Sequence, residues 1–322
     1  MAKHLNISVS TVSRALNNHN DVSRRTREIV LNAAEELNYR PNDIARSLIS
    51  NKTFTIGLMV PDIADPYFSS MAAGVEDALS NEDYQVVYGN TSRDPLKEKK
   101  FIESVFARKM DGVILTPDKL EEDFVTLLKK LNVPFVLLRR RTPEGLDFPF
   151  VDVDHYGGAQ QAVQHLIKKG HKKIGFMGMS KESFTSNERL RGYHDVMREY
   201  NLEVNESQIS IAGRTIESGR KAMGRLYQSN PELTAVFASN DLIGIGALEW
   251  LEINKIEVPK QMAVIGFDDL EISNLHWIQL TTMSQPRKQM GELSAELLLS
   301  LINGEEEDSI ILDTELKKRK TC

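Results

Sequence analysis

The chain has 322 residues, 41% hydrophobic and 27% charged, an ordinary globular composition with room for about two domains or a little more, which excludes disordered, collagenous and disulfide-stapled classes. The net charge of −6 divides unevenly: residues 1–52 carry eight Lys/Arg against five Asp/Glu, a surplus of +3, and the remainder holds −9. One cysteine, Cys322, cannot close an intramolecular disulfide or build a thiolate metal site, and no apolar run approaches the ~20 residues that span a bilayer, so a cytoplasmic protein with no membrane contact is expected.

Residues 1–40 contain no glycine and no strand-like alternation, and their apolar spacing predicts two short helices. In the first, Ser8 can act as cap. Val9, Val12 and Leu16 share one face, while Ser10, Thr11, Ser13, Arg14 and Asn17 occupy the other. The second starts near Ser23 and is expected to bury Ile29, Val30, Ala33, Ala34 and Leu37, with residues 17–21 as the loop between them. A basic helical head on an acidic body suits a nucleic-acid reader fused to a sensor, and equally a solvated helical face.

From Phe54 onward short β-rich runs alternate with helical stretches: 55–60, 85–88, 112–115 and 134–138, then a second set at 173–177, 208–211, 235–238 and 262–266. Such alternation predicts two similar α/β lobes with parallel sheets. Ligands of such sheets bind beyond the carboxyl ends of the strands, which singles out loops 61–68, 116–119, 178–189, 239–241 and 267–270.

Enzyme motifs find little support. Gly244-Ile245-Gly246 lacks a third glycine at the required place and lies inside a helical stretch, so it is no dinucleotide fingerprint. No phosphate-binding loop, nucleophile elbow or His-Glu-x-x-His sequence occurs. Neither catalysis nor a metal or cofactor is expected.

The run Ser8-Val9-Ser10-Thr11-Val12-Ser13-Arg14-Ala15-Leu16-Asn17, followed by Val22 to Arg27 and by Leu37-Asn38-Tyr39-Arg40-Pro41-Asn42, resembles the lactose/galactose repressor family over nearly the whole chain. The resemblance implies an all-α helix-turn-helix head at 1–41 and a hinge helix and linker at 42–53. It also implies a core of two lobes like periplasmic sugar-binding proteins. Chain crossings near Gly170, Met283 to Gln285 and Gly304 to Asp308 would divide that core into 54–169 with 285–306, and 170–284 with 307–322.

By the same resemblance, Val9, Ser10 and Arg14 face base edges, and Ser8, Thr11, Ser13 and Asn17 position the reading helix. Ser23, Thr26 and Tyr39 touch phosphates. Leu48, with Asn42 and Ala45 beside it, wedges into the minor groove from the hinge. These residue types fit: arginine can bond guanine through two parallel hydrogen bonds, and a valine methyl can meet the thymine methyl. Members of the family carry residues ahead of this chain's start, so Met1 is expected inside a first helix that has lost packing and phosphate-contacting groups.

The effector residues implied are Tyr67, Phe68, Thr116, Arg189, Arg214, Asn240 and Asp268. Arg189 stands three residues before Gly192, and core packing explains Phe68 equally well. Asp241 and Asp269 are expected to cap the helices that follow them. The expected function is a homodimeric transcription regulator, a repressor, that binds a palindromic double-stranded operator and is controlled by a carbohydrate. Residues 310–322 show no sustained apolar heptads, which favours a dimer over a tetramer. The alternatives are a regulator of this fold controlled by a phosphoprotein partner, and a solute sensor whose incomplete head no longer binds DNA.

Overall fold

The computed structural model of the chain describes residues 1–16, 21–39, 52–143 and 145–322, and these form two units, 1–53 and 54–322. The expected hinge residues Asn42, Ala45 and Leu48, and Asn17 of the head, lie outside the described residues.

The head consists of α1 (Ala2–Leu5), α2 (Val9–Leu16) and α3 (Arg24–Glu36). Ser8 Oγ accepts the amide of Thr11 at 3.0 Å and Ser23 Oγ that of Thr26 at 3.1 Å, so both serines cap helix starts. A small core of Val12, Ala15 and Val30 is closed by Ala2, Leu5, Ile7, Leu16 and Val22. The sequence pattern overstates the buried face of α3: Val30 and Ala33 are buried, but Ile29 and Leu37 are exposed. On α2, Val9 points to solvent rather than joining Val12.

The core contains two six-stranded sheets. The first lobe holds β1 (Thr55–Val60), β2 (Gln85–Asn90), β3 (Gly112–Leu115), β4 (Phe135–Leu138), β5 (Phe150–Val153) and β11 (Ile310–Leu312), in the order β11-β5-β4-β3-β1-β2 and parallel throughout. The second holds β6 (Ile174–Gly178), β7 (Ile209–Ile211), β8 (Ala235–Ala238), β9 (Ala263–Asp268), β10 (Thr281–Ser284) and β12 (Glu315–Lys317), in the order β12-β10-β9-β8-β6-β7. Only its edge strand β12 runs antiparallel, against β10. The central strands are apolar and buried along their length, as strands covered by helices on both faces must be.

In the first lobe the helices are α4 (Pro66–Ser80), α5 (Pro95–Ala107), α6 (Glu122–Lys129) and α11 (Arg287–Ile302). In the second they are α7 (His155–Lys168), α8 (Phe184–Glu199), α9 (Ile216–Ser229) and α10 (Asp241–Ile253). Asp65, Asp94, Ser183, Thr215 and Asn240 each cap the helix that follows a strand, so the strand-to-helix turns present polar side chains at one rim of each sheet.

The crossings differ from the expected divisions at two places. Helix α7 packs Ala159, Ala162, Val163 and Leu166 against Phe176 and Phe237 of the second lobe, so the chain changes lobe after Val153 and not near Gly170. Strand β11 pairs with β5 in the first sheet, so the last crossing follows Leu312 rather than falling at 304–308. Helix packing explains the first shift and strand pairing the second: the apolar face of α7 and the short strand β11 fix lobe membership whatever the loops beside them look like. The middle crossing runs from β10 to α11 through Gln285 and Pro286.

Candidate functional site

In the head, α2 exposes Val9, Ser10, Ser13 and Arg14 on one face, with Val9 75% accessible. Arg14 is held by Asp21 at 2.9 Å, an exposed ion pair that aims the guanidinium without burying it. Ser8 and Thr11 share a hydroxyl contact at 2.8 Å, as do Ser23 and Thr26. These four are engaged in capping, and Tyr39 is half exposed beyond the end of α3.

In the core, a cleft lies where the carboxyl ends of the two sheets face each other. It is lined by Pro61, Asp65, Tyr67, Phe68, Arg93, Asp118 and Arg139 from the first lobe and by Met179, Arg214, Asn240 and Asp268 from the second. All five loops singled out from the strand ends contribute to it.

Tyr67 and Phe68 meet edge to face at 5.4 Å and are both buried. The Tyr67 hydroxyl donates to Gln285 Oε1 at 2.7 Å, and Gln285 Nε2 donates to Asp268 Oδ1 at 2.6 Å, a chain of bonds from one lobe through the crossing to the other. Arg214 Nη2 reaches across to Asp118 Oδ1 at 3.2 Å, and so ties the lobes at the rim.

Asp268 closes β9 with φ 131°, a backbone setting that costs about 1–3 kcal/mol for a residue with a side chain and is found where geometry serves function. Burial pushes its carboxyl up to about 7, against the pull of Arg189, whose Nη1 lies 3.6 Å from Oδ1. Arg189 is entirely buried. Its Cζ sits 3.6 Å over the Phe267 ring, Nη1 bonds the Ser239 carbonyl, and Nη2 faces His155 Nδ1 at 3.2 Å. Burial lowers this guanidinium to about 10, so it keeps its charge at neutral pH. Burial also lowers His155 to about 4, which leaves a neutral imidazole able to accept from Arg189 while Nε2 lies 3.1 Å from Asp152.

Of the sequence-derived residues, Tyr67, Phe68, Arg214, Asn240 and Asp268 therefore come together in the cleft, with Arg189 directly behind Asp268. Thr116 does not join them, because its hydroxyl is spent on the Met59 carbonyl at 2.5 Å. The expected capping roles are also redistributed. Asn240 Oδ1 caps α10 by accepting from Ile243 at 2.8 Å, while the buried Asp241 accepts from Leu270, Ser273 and Thr282. Asp269 pairs with Arg319 at 2.5 Å rather than capping.

Sequence reasoning missed Arg93, Asp118, Gln285 and, above all, Arg139. The run Arg139-Arg140-Arg141 directly after β4 was the available signal, since it stands at a strand's carboxyl end. Among the described residues no helix is long and apolar enough to cross a membrane, and no group of three or more metal-ligating side chains occurs.

Residues 1–42 match the model of bacterial regulatory proteins, lacI family, and residues 53–320 that of periplasmic binding proteins and sugar binding domain of LacI family. The chain is 32% identical over its full length to the HTH-type transcriptional regulator RegA of Clostridium saccharobutylicum, covering 97% of it. It is 33% identical over 97% of its length to catabolite control protein A of Priestia megaterium, covering 94% of that protein. Among solved structures, the lac repressor dimer bound to operator and the anti-inducer ONPF superposes with a TM-score of 0.92 at 26% identity, over 99% of this chain and 97% of that one. The transcriptional regulator CelR–cellobiose complex gives 0.77 at 31% identity, over 100% and 98%.

Proposed function

Because the chain belongs to the LacI family of bacterial regulatory proteins, we propose that its core cleft binds a small carbohydrate and that Asp268, Arg189, Asn240 and Tyr67 carry the recognition. The chain is a DNA-binding transcription regulator whose operator affinity is controlled by a sugar-type effector. The observation that carries the assignment of residues is a strained, buried aspartate, backed by a buried arginine, at a cleft walled by two aromatic rings. A carboxylate accepts and a guanidinium donates to vicinal hydroxyls, while a ring face covers the apolar side of a sugar.

An effector shifts a conformational equilibrium only by its differential affinity for the two states. The contacts available for that difference are those that cross the cleft, Arg214 to Asp118 and Tyr67 to Gln285 to Asp268. A molecule that replaces them changes how the lobes sit, and with them the paired heads. The relatives named for CelR and lac repressor bind cellobiose and an operator respectively, which supports the same pairing of ligands here. The same cleft equipment favours a small molecule over control by a phosphoprotein. The working form is a homodimer, for which the second lobe leaves Ile253 and Trp277 exposed. The protein acts in the cytoplasm, and regulation rather than catalysis is its role.

At the DNA, Arg14 reads a guanine and Val9 a thymine methyl, while Ser10 and Ser13 flank them on the same exposed face. Tyr39, with the cap hydroxyls of Ser23 and Thr26, faces phosphates. Selection of bound duplexes from a random library at low salt tests this. The wild type is expected to enrich a two-half-site sequence, and Arg14→Ala to weaken binding about 5- to 150-fold and relax one base position per half-site. No enriched sequence at low salt, where phosphate attraction is strongest, would contradict it.

A further inference from the structure

We propose that the effector carries an acidic group, a phosphate ester or a carboxylate, seated on Arg139; this rests on the reading of the cleft as a carbohydrate site. Arg139 follows β4 at φ 63°, a left-handed setting uncommon for a residue with a side chain. It is half-buried, lines the cleft, and lies with Cζ 4.9 Å from the Tyr67 ring centre and 5.6 Å from that of Phe68.

Its neighbours are all engaged. Arg93 faces Asp62 at 3.0 Å and Asp65 at 3.6 Å. Arg214 faces Asp118 at 3.2 Å, Arg189 faces Asp268 at 3.6 Å, and Arg141 faces Asp152 at 3.2 Å. Arg140 bonds the carbonyls of Pro117 and Asp118, and Arg287 those of Asp268 and Asp269. Arg139 differs in that, among the described residues, its guanidinium meets neither a carboxylate within 4 Å nor a carbonyl: its one side-chain hydrogen bond is a long 3.4 Å contact to Thr185 Oγ1, and its Nε, like those of Arg93, Arg140 and Arg287, is buried without a hydrogen-bond partner.

Arg189 Nε, fully buried just behind Asp268, is likewise without a partner. Of the three arginines that line the cleft, Arg93, Arg139 and Arg214, Arg139 is therefore the one without a direct carboxylate partner: Asp268, Asp65 and Asp152 act on it only at longer range, and cation–aromatic contact replaces only part of a lost hydration shell. A guanidinium presents a planar fork that matches phosphate or carboxylate oxygens in pairs.

The test compares full-length wild type, Arg139→Gln and Arg139→Lys by titration calorimetry at constant ionic strength. The probes are neutral sugars and their acidic counterparts: ribose with ribose 5-phosphate, glucose with glucose 6-phosphate and with gluconate, and galactose with galacturonate. The expected result is that at least one acidic member binds the wild type about tenfold or more tightly than its neutral parent, as charge-assisted hydrogen bonds provide. The phosphate and carboxylate arms then separate the two sources of the charge. Arg139→Gln is expected to bring that ratio to about one, and Arg139→Lys, which keeps the charge without the fork, to retain part of it. A neutral parent bound as tightly as its acidic counterpart, or a ratio that survives Arg139→Gln, overturns this inference and leaves the carbohydrate reading standing. Silence of every pair overturns both.

Discussion

Asp268 carries a stability cost that burial sets and pH exposes. Its carboxyl is raised to about 7 by burial, whereas an unfolded chain holds an aspartate near 3.9, so the folded state binds this proton more tightly. The stabilisation tied to that proton is complete below about pH 4 and is lost as pH rises through 7. Asp268→Asn is therefore expected to melt a few degrees above the wild type at pH 8 and to converge with it near pH 4, in thermal denaturation without added sugar. A lower melting temperature for the variant at pH 8 would contradict this reading. Sequence identified Asp268 because a strand-end aspartate in a matching motif is a strong signal. It passed over Arg139 because three arginines in a row look like a solvated run, and only strand pairing and backbone angle turn the first of them into the cleft. Asn240 and Asp241 were exchanged for a related reason. Either can cap a helix, and the choice is made by distant donors, Leu270, Ser273 and Thr282, that no local pattern reveals.

Among the elements, close helix pairs hold each lobe in register. In the first lobe a methyl group on Gly74 of α4 would sit 2.0 Å from the Lys288 carbonyl of α11, and one on Gly291 2.0 Å from that of Met71. In the second lobe Gly219 of α9 and Gly246 of α10 make the same contact, at 2.5 Å from the Ile243 carbonyl and 2.1 Å from that of Ile216. Gly246, the second glycine of the Gly-x-Gly of α10, is thus part of a packing seam against α9. Gly246→Val is expected to cost about 1–3 kcal/mol or more through overpacking against backbone, read as a lower denaturant midpoint; an unchanged midpoint would show that the seam can open freely. The strands with a sustained apolar run were legible in sequence, and β5, β10, β11 and β12 were not. Each has three or four residues, and all but the three-residue apolar β11 mix polar with apolar, as in Phe150-Val151-Asp152-Val153 and Thr281-Thr282-Met283-Ser284. Their place is set by the sheet they complete, and the lobe boundaries drawn without them shifted accordingly. In the head, the exposure of Ile29 and Leu37 follows from its size: α1 and α2 are too short to cover the whole apolar face of α3.

At the level of the whole molecule, the charge of the chain already divides the work, with +3 on the head and −9 on the body. Helix α2 carries short polar groups, one arginine and one exposed valine, and the body carries the cleft. Coupling between them needs only a modest difference in effector affinity between two arrangements of the lobes, about 1.4 kcal/mol for each tenfold change in operator affinity. The most direct measurement is the operator affinity of the full chain, by fluorescence anisotropy on a selected duplex, with and without the sugar that calorimetry shows to bind, for the wild type and for Asp268→Ala. The account predicts a change of at least about tenfold for the wild type and none for the variant. An equal response from both would contradict it, because the sugar would then be acting elsewhere than at the cleft.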